Sequence, residues 1–557
     1  MAESELKSVL VLWLAVVLLL CGGPRALAQN LLVENVNGYT FQRGELKSFD
    51  GLLIDENGRV LSAGSAAQLA KVGDVRRHDA GGLTMLPGLI DGHGHILGLG
   101  HARLRADLTG APSLAEALRK FARYAQDNPD LRWLQGRGWN QELWPGREFP
   151  SASDLDLLEP DRPVWLLRID GHAGWANSKA MELAAVDTDS VSPPGGRILK
   201  SADGTPTGVF VDAAMDLIAQ AIGEPSRAED ARALALALDE LVSAGLTGVH
   251  DAGVSARTVD LYKEFANRDA LPLRIYAMLS GSGANLDAFE EPLIAYGSDR
   301  LTVRSVKLYA DGALGSRGAA LLEPYTDEPV HSGLLFAGRA GLVEQIRKAH
   351  EKDFQVNTHA IGDRANRVVL DALAKVQGGK PSRLRHRIEH AQVVSPKDIP
   401  RFAALGVIPS MQPTHATSDM NMAEDRVGAE RIEGAYAWRS FVDQGNRVVA
   451  GSDFPVESTN PFLGIHAAVT RQDTRGQPEG GWYPKQVLDV EEALKAFTID
   501  AAYGAHQEHR LGSLEPGKWA DFVLVDRDIF RVAKHELWQT KVLETWLAGE
   551  RVYPVPQ

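Results

Sequence analysis

The feature of this sequence that most constrains its fold is the alternation of short apolar segments with segments of helical periodicity. Strands of a parallel sheet are buried on both faces, so they read as continuous apolar runs, and each needs a helical crossover before the next. Eight candidate strands in succession, most of them rich in apolar residues, predict an α/β protein whose main domain is a (β/α)8 TIM-type barrel. The predicted strands are Leu89–His95, Leu246–Asp251, Leu273–Leu279, Val303–Asp311, Gln355–His359, Arg387–His390, Val407–Met411 and Val448–Asp453.

The spacing between these strands is even except after the first one, where a large insertion at residues 104–243 precedes the second. An amphipathic pattern at Leu114–Ala125 predicts a helix in this insertion, and Arg197–Phe210 has the pattern of a β-hairpin. The insertion is long enough to fold as a subdomain. We therefore expect it to form a cap over the mouth of the barrel.

Short strand-like segments lie on either side of the predicted barrel, at residues 29–86 and 506–557. The first set includes the turn signal Asn57-Gly58. Although the two sets are far apart in sequence, we expect them to pair and to form one small β-sandwich domain. The barrel with its insertion then occupies residues 87–505.

Composition excludes several classes of protein. The chain has 557 residues, of which 44% are apolar and 24% charged, and these values are typical of a globular protein rather than of a disordered or fibrous one. Its net charge of −14 argues against nucleic acid as the main partner, because phosphate binding needs clustered Lys and Arg. The single cysteine, Cys21, excludes a disulfide framework and a four-cysteine metal site.

The first residues have the pattern of a leader sequence. The apolar run Val9–Leu20 is shorter than the ~20 residues of a membrane-spanning helix, and an A-x-A motif ending at Ala28 follows it. This predicts a signal peptide at residues 1–28, although acidic residues outnumber basic ones before the apolar run; the alternative is a buried core helix. We expect an exported protein, periplasmic or secreted, without a membrane span after cleavage.

Five polar residues stand at the carboxyl ends of predicted strands, where barrel enzymes build their active sites. His93 and His95 end the first strand, His359 the fifth, His390 the sixth and Asp453 the eighth. The two residues that end the first strand point to the same side, because side chains alternate along a strand. One such histidine alone is usually structural, but together the five predict a site for zinc or a similar ion.

Lys307 lies within the fourth predicted strand, where its neighbours Val306, Leu308 and Ala310 form one apolar face. The lysine therefore points into the barrel, and an unpaired charge there is costly. One interpretation is a salt bridge to a nearby carboxylate, Asp311 or Asp453. The interpretation that we favour is a neutral amine that takes up carbon dioxide and becomes a carbamate able to bridge two metal ions.

These motifs resemble those of the amidohydrolase superfamily of metal-dependent hydrolases, over nearly the whole chain after the leader. Two segments of the insertion, Gly138–Asn140 and Asp170–Ser178, resemble the type 3 branch, which includes N-substituted formamide deformylases. The segments that carry the superfamily resemblance are Pro87–His95, Val306–Gly312, Thr358–Asp363, Arg387–Ala391, Gly451–Pro455 and Gly512–Asp521.

The resemblance implies a centre of two divalent metal ions, by default zinc. It further implies that Asp453 contacts the metal, removes a proton from the attacking water and delivers it to the leaving nitrogen. The implied ligands are His93 and His95 for the more buried ion, His359 and His390 for the more exposed ion, and carboxylated Lys307 between the two.

Several further residues are candidates for contact with a substrate. His172, in the insertion, is a candidate donor to the oxyanion that forms during hydrolysis, with a structural hydrogen bond as the alternative. Three tryptophans could line the substrate site, with ordinary core packing as the alternative. The three tryptophans are Trp139, Trp144 and Trp175, and the other two candidates for contact with the substrate are Asp311 and Arg317.

The leading hypothesis is an exported hydrolase that cleaves an amide-type C–N bond of a small molecule. The alternatives are a deaminase with a single metal ion or a cyclic amide hydrolase, and Lys307 argues against the former because single-ion members usually lack this lysine. A binding or regulatory protein without turnover is disfavoured by the complete ligand set. The sequence identifies neither the substrate nor the metal. It also does not determine the oligomeric state, for which a homodimer is one option.

Overall fold

The computed structural model describes residues 29–555. The signal peptide predicted at residues 1–28 lies outside the described residues. Three sheets organise the described part of the chain: one in the barrel, one in the insertion and one built from both flanks. No helix within residues 29–555 is long and apolar enough to cross a membrane.

The central sheet contains the eight predicted parallel strands in chain order, each hydrogen-bonded to the next. A short antiparallel strand, Leu293–Ala295, pairs with the edge of the fourth strand. The prediction of a TIM-type α/β fold is confirmed. We number the barrel strands β1 Leu89–Gly94, β2 Leu246–Val254, β3 Arg274–Ser280, β4 Leu301–Tyr309, β5 Gln355–Ala360, β6 Arg387–His390, β7 Ile408–Met411 and β8 Val449–Ala450.

The last and first strands meet just beyond their carboxyl ends. The Asp453 amide donates to the His93 carbonyl at 2.7 Å, and the His95 amide donates to the Phe454 carbonyl at 2.8 Å. Gly451 permits this approach, because a Cβ atom there would lie 2.5 Å from the His93 nitrogen. The barrel is therefore nearly closed, and its closure brings the ends of β1 and β8 together.

Helices surround the barrel and bury the outward, apolar faces of its strands in the main core. The three helices that follow β4, β5 and β6 are Arg339–Glu351, Asp363–Gln377 and Ile399–Leu405. The other α-helices are Ala66–Leu69, Ile96–Arg103, Leu114–Asp127, Ala152–Asp156, Ser178–Leu183, Asp216–Ile222, Arg227–Ser243, Ala256–Asn267, Ala284–Asp287, Tyr296–Asp299, Pro413–Asp419, Ala423–Arg431, Trp438–Asp443, Pro461–Thr470, Val490–Ala496 and Ile499–Gly504. Short 3₁₀ turns lie at Gln141–Leu143, Ala213–Met215, Ile432–Gly434, Pro484–Gln486 and Lys534–Gln539.

The insertion after β1 contains its own six-stranded sheet. The predicted helix is present at Leu114–Asp127, where the Ser113 side chain caps its first turn by accepting from the Glu116 amide at 3.2 Å. The predicted hairpin is the antiparallel pair at one edge of this sheet. In spatial order the strands are Gly196–Lys200, Pro206–Asp212, Ala173–Ala176, Val164–Arg168, Leu134–Trp139 and Ala106–Asp107.

Strands from both flanks of the barrel belong to one sheet. The two flanks meet where Thr84–Pro87 pairs antiparallel with Phe522–Val525. The predicted pairing is thus observed, whereas the division into two facing layers that defines a sandwich stays a prediction. The strand order is Glu550–Tyr553, Val542–Leu547, Phe522–Val525, Thr84–Pro87, Leu31–Gln42, Glu45–Ile54 and Val60–Gly64, with Arg76–Asp79 beside Leu31–Gln42.

Candidate metal centre

The structure brings the predicted strand-end residues together at the carboxyl end of the barrel. Ligand atoms of His93, His390 and Asp453 all lie within 4.8 Å of one another. His95 Nε2 lies 3.0 Å from Asp453 Oδ1, and the rings of His359 and His390 have centroids 4.5 Å apart. The five residues that end four separate strands therefore form one cluster.

Each of the four histidines has one ring nitrogen in contact with an oxygen acceptor, so the second ring nitrogen is the one that a metal ion could take. Metal-binding histidines usually have such a second partner, which fixes the ring orientation and the tautomer. The contacts are His93 Nδ1 to Glu389 at 2.5 Å, His95 Nδ1 to the Ala252 carbonyl at 2.9 Å, His390 Nδ1 to Gln412 at 2.8 Å and His359 Nε2 to the Gly312 carbonyl at 3.3 Å.

Burial sets the charge state of these side chains. It lowers the pKa of His93 to about 4, with help from the charge of Lys307, and it lowers the pKa values of His359 and His390 well below the ordinary range. Burial opposes ionisation of Asp453, but the surrounding histidines, His95 foremost, hold the pKa of that carboxyl well below its usual value. The cluster therefore offers three neutral imidazoles, those of His93, His359 and His390, and one carboxylate.

This donor set fits a divalent ion such as zinc, which prefers imidazole and carboxylate ligands. Asp453 Oδ1 provides a second, independent indication. This buried oxygen lies 3.0 Å from His95 Nε2, but the His95 ring contacts the Ala252 carbonyl through Nδ1, and in the tautomer that donates there Nε2 has no proton to give. Two acceptor atoms that face each other in a buried site are costly unless a ligand contacts them. The residues present thus match the metal that the sequence predicts.

Lys307 is almost fully buried on β4, with Nζ 3.3 Å from His93 Nε2 and 4.6 Å from the centre of the Tyr309 ring. No carboxylate in residues 29–555 forms an ion pair with it, so the salt bridge considered from the sequence does not form. Asp311 instead accepts from backbone amides. The amine of Lys307 therefore lies at the histidine cluster without an acidic partner among the described residues.

Glu389, which sequence reasoning did not single out, lies with Arg387 on the face of β6 that points into the barrel. Arg387 Nε donates to Glu389 at 2.8 Å, and Glu389 in turn contacts His93. Both side chains are fully buried. The period of two along a strand could have identified this pair, since Ile388 between them packs outward.

Two of the candidate ligands have a backbone conformation that residues other than glycine rarely adopt. His390 has φ of 73° and Asp453 has φ of 61°, and each lies where the chain leaves the end of its strand. Such conformations cost on the order of 1–3 kcal/mol and persist where the surrounding structure enforces them, often at functional sites. The local strain turns both side chains toward the cluster.

Two cavities of about 370 Å³ and about 420 Å³ meet at this cluster. The first extends over Arg137 and Tyr309. The second extends toward Leu314 and Met422. Residues that line both are Asp170, His172, His359, His390, Asp453 and Val456.

His172 of the insertion lies at the site, as predicted for a donor, with its ring 5.2 Å from that of His359. Its Nδ1 atom contacts Asp212 at 2.7 Å, so the structural hydrogen bond considered as the alternative is also present. Burial opposes protonation of His172, but the hydrogen bond and charge of Asp212 and the charge of Asp170 raise its pKa above the ordinary value. This favours the protonated, donating form.

The three tryptophans do not line either cavity, so their assignment as walls of the substrate site is corrected. Each is buried in the core of the insertion and donates its ring N–H to a backbone carbonyl: Trp139 to Leu166 at 2.8 Å, Trp144 to Ala111 at 3.1 Å and Trp175 to Ser151 at 2.7 Å. The alternative of ordinary core packing is the one that the structure shows.

Replacement of Trp139 by Ala is therefore expected to lower the free energy of unfolding by about 3–5 kcal/mol, because it removes a fully buried ring. Denaturant titration measures this change. The control Leu157→Ala, at a position 86% exposed in the same insertion, is expected to change stability by less than about 0.5 kcal/mol. A Trp139→Ala protein with unchanged stability and a raised KM would contradict this placement.

Asp311 and Arg317 are likewise outside both cavities. Asp311 is fully buried and accepts from the amides of Ala320, Ile361 and Gly362 at 2.8–3.0 Å. Burial raises the pKa of Asp311 to about 7. Arg317 lies near the surface, where it pairs with Asp327 at 3.0 Å. Their assignment as substrate residues is corrected: the first anchors loops behind the metal cluster, and the second forms a surface ion pair.

Sequence reasoning missed His415, which follows β7 in the helix Pro413–Asp419. Its ring stacks on that of His390 with centroids 6.0 Å apart, and its Nε2 lies 3.9 Å from Asp453 Oδ2. A histidine just beyond a strand end was the available signal. Arg137, on a strand of the insertion, was also missed, and no local motif marked it.

Comparison with known proteins agrees with this geometry. The model of the amidohydrolase family matches residues 77–553. The putative amidohydrolase YtcJ of Bacillus subtilis is 33% identical over 89% of this chain and 95% of its own length. The N-substituted formamide deformylase of Arthrobacter pascens is 27% identical over 94% of this chain and 98% of its own length.

A solved structure resembles the whole fold. It is that of an uncharacterized metal-dependent hydrolase from Pyrococcus horikoshii, with a TM-score of 0.74 and 28% identity over 91% of this chain and 99% of that one. The family model spans the barrel, its insertion and parts of both flanks. The chain therefore belongs to the amidohydrolase family, in its type 3 branch.

Proposed function

We propose that the protein is an exported metal-dependent hydrolase that cleaves an amide-type C–N bond of a small molecule. The observation that carries this proposal is the convergence of neutral imidazoles and the unpartnered Asp453 Oδ1 on a cavity. The relative named as a formamide deformylase supports the choice of an amide-type bond. Export is proposed from the leader pattern alone.

The ligands that would hold the metal are those that the resemblance implied. His93 and His95 would serve one ion and His359 and His390 the other, with two zinc ions as the default. We propose that Lys307 is carboxylated: the lone pair of neutral Nζ attacks the carbon of CO₂, an N–C bond forms as one C=O π bond breaks and its electron pair moves to oxygen, and an N–H bond breaks to release a proton to solvent. The product is an anionic carbamate, which suits a buried position between cations.

When bound, divalent ions at this site supply Lewis-acid chemistry, making water more acidic and polarising a carbonyl oxygen. The chain supplies the proton transfers. Ionised Asp453 accepts a proton from the attacking water and then delivers it to the nitrogen of the breaking C–N bond. Protonated His172, oriented by Asp212, donates a hydrogen bond to the carbonyl oxygen as negative charge develops there.

A single-ion deaminase is the weaker candidate, because a buried Lys307 without an ion pair has no evident role in it. The proposed partner is a small molecule, since the two cavities are of ligand size. We propose no nucleic acid partner, on the charge argument above. A homodimer is compatible with the proposal and is not required by it.

The proposal is tested with purified protein and a panel of N-formyl and N-acyl amides, cyclic ureides, esters, lactones and amino-substituted heterocycles. We expect hydrolysis of open-chain amides, its loss after chelation and its recovery with Zn²⁺. Ammonia release from heterocycles as the sole activity would support the deaminase instead. An absence of turnover on the entire panel with metal-loaded protein would contradict the proposed function.

A further inference from the structure

Arg137 is a cation in the wall of the first cavity that lacks a compensating charge. Three arginines line the two cavities: Arg168 forms an ion pair with Asp170, and Arg475 pairs with Asp473 at 2.8 Å. Arg137 forms no ion pair with any carboxylate of residues 29–555. The other two arginines are neutralised by the protein, so Arg137 alone among them has its charge available for a ligand.

The guanidinium of Arg137 is also incompletely hydrogen-bonded. One terminal nitrogen donates to the Ile169 carbonyl at 2.6 Å, and Nε is buried without a partner within the described part of the chain. A buried charge that lacks partners is costly, and a ligand that accepts from it removes part of this cost. Burial lowers the pKa of Arg137. The negative charges of Asp453 and Asp170 raise this pKa, but they offset only part of the effect of burial.

The strand that carries Arg137 explains why it faces the cavity. Gly138 has φ of 107°, and the pairing register with the neighbouring strand shifts between Arg137 and Trp139. This irregularity breaks the alternation of side chains, so that Trp139 enters the core of the insertion while Arg137 faces the metal cluster. The arrangement positions a planar fork of donors in the same cavity as His95 and Asp453.

The surrounding charges select the kind of anion. Asp170, Asp251 and Asp453 line the same cavity, so a phosphate dianion would be repelled more strongly than a singly charged group. A carboxylate matches the guanidinium fork and carries one charge. The second cavity differs, because it offers a group of apolar side chains beside its polar ones: Leu143, Leu314, Ile361, Met420 and Met422.

We propose that Arg137 binds a carboxylate group of the substrate, so that the enzyme prefers amides with one anionic half and one apolar half. The anionic half would occupy the first cavity and the apolar half the second, with the scissile bond between them at the metal cluster. This inference deepens the proposed function and rests on it for the position of the scissile bond. The binding of a carboxylate by Arg137 can be tested without turnover.

Two matched substrate pairs test the preference. In the first pair, N-benzoylglycine has a carboxylate on its amine half and N-benzoylethanolamine has a hydroxyl there. In the second pair, N-benzylsuccinamate has a carboxylate on its acyl half and N-benzyl-4-hydroxybutanamide has a hydroxyl there. We expect kcat/KM for the carboxylate of at least one pair to exceed that of its neutral partner by about 10- to 100-fold. Arg137→Gln should abolish this ratio, mainly through KM, and Arg137→Lys should retain part of it.

The control is Arg132→Gln, which removes the same charge at an exposed position of the insertion and should leave the ratio unchanged. Calorimetric titration of both carboxylates into the metal-loaded Asp453→Asn protein, with and without Arg137→Gln, measures binding apart from hydrolysis. We expect Arg137→Gln to weaken this binding by at least about tenfold. Equal thermal midpoints and metal contents would show that the variant is folded.

The outcomes separate the two proposals. The role of Arg137 would be overturned by any of three results: equal carboxylate affinities with and without Arg137, no binding of either carboxylate, or equal kcat/KM for each carboxylate and its neutral partner. The hydrolase proposal would then still stand. If the wild-type protein hydrolysed no amide but still bound a carboxylate in a way that depends on Arg137, the hydrolase proposal would be overturned. The anion site would then still stand.

Discussion

Replacing Asp453 by Asn is expected to reduce amide hydrolysis by about 10²- to 10⁴-fold, the range typical of a lost general acid–base group. The substitution keeps the size of the side chain and one oxygen, but an amide cannot accept a proton from water and return it to nitrogen. Because the histidines hold the pKa of Asp453 well below its usual value, its ionised form is the one present at neutral pH. Steady-state kinetics with the metal-loaded variant measures the loss.

A matched control is Asp425→Asn, which removes a carboxylate from an exposed ion pair with Arg147 at 3.2 Å. An exposed pair contributes about 0–1 kcal/mol to stability, so this control is expected to retain full activity. Metal content is measured for both variants, because Asp453 is also an expected ligand. An Asp453→Asn enzyme with wild-type turnover and wild-type metal content would show that another group transfers the proton.

Replacing Lys307 by Ala is expected to lower the bound metal and to reduce activity by at least about 10²-fold, because the variant loses the proposed bridging anion. Added bicarbonate should not restore activity, since no amine remains to react with CO₂. Equilibration of the wild-type protein with ¹³C-bicarbonate should give a carbamate ¹³C signal that the variant lacks. Metal analysis and NMR on the same samples measure both effects.

Lys348→Ala provides the control for this second experiment. Lys348 is an exposed lysine on the helix after β4 and pairs with Asp287 at 2.9 Å. Its loss should change neither the metal content nor the carbamate signal. If Lys307→Ala kept the full wild-type metal content and showed the same signal, the carbamate would not be on Lys307 and the bridging role would be wrong.

The convergence of the candidate metal ligands could be predicted because it depends on local periodicity and on a rule of barrel architecture. Short strand-like segments separated by helical ones place the ends of β1, β5 and β6, and side chains at the carboxyl ends of barrel strands converge. The inward direction of Lys307 follows from its apolar neighbours on β4. These inferences need no knowledge of which distant segments meet.

The surroundings of the site depend on contacts between distant segments, and there the sequence was less informative. Asp212 reaches His172 across the sheet of the insertion, 40 positions away. The three tryptophans lie in the core of the insertion, and for Trp139 the structure shows a local reason: it follows a register shift at Gly138, after which a period of two no longer gives the side-chain direction. The register shift also leaves Arg137 facing the cavity, on the side of the strand opposite to Trp139.

The most direct test of the central claim is the metal content of the purified protein, measured by inductively coupled plasma mass spectrometry before and after chelation. The account predicts about two divalent ions per chain, consistent with a paired-metal site. It also predicts that activity falls when chelation removes these ions and recovers when they are restored. Less than one ion per chain in a protein that hydrolyses amides at full rate, unaffected by chelation, would contradict it.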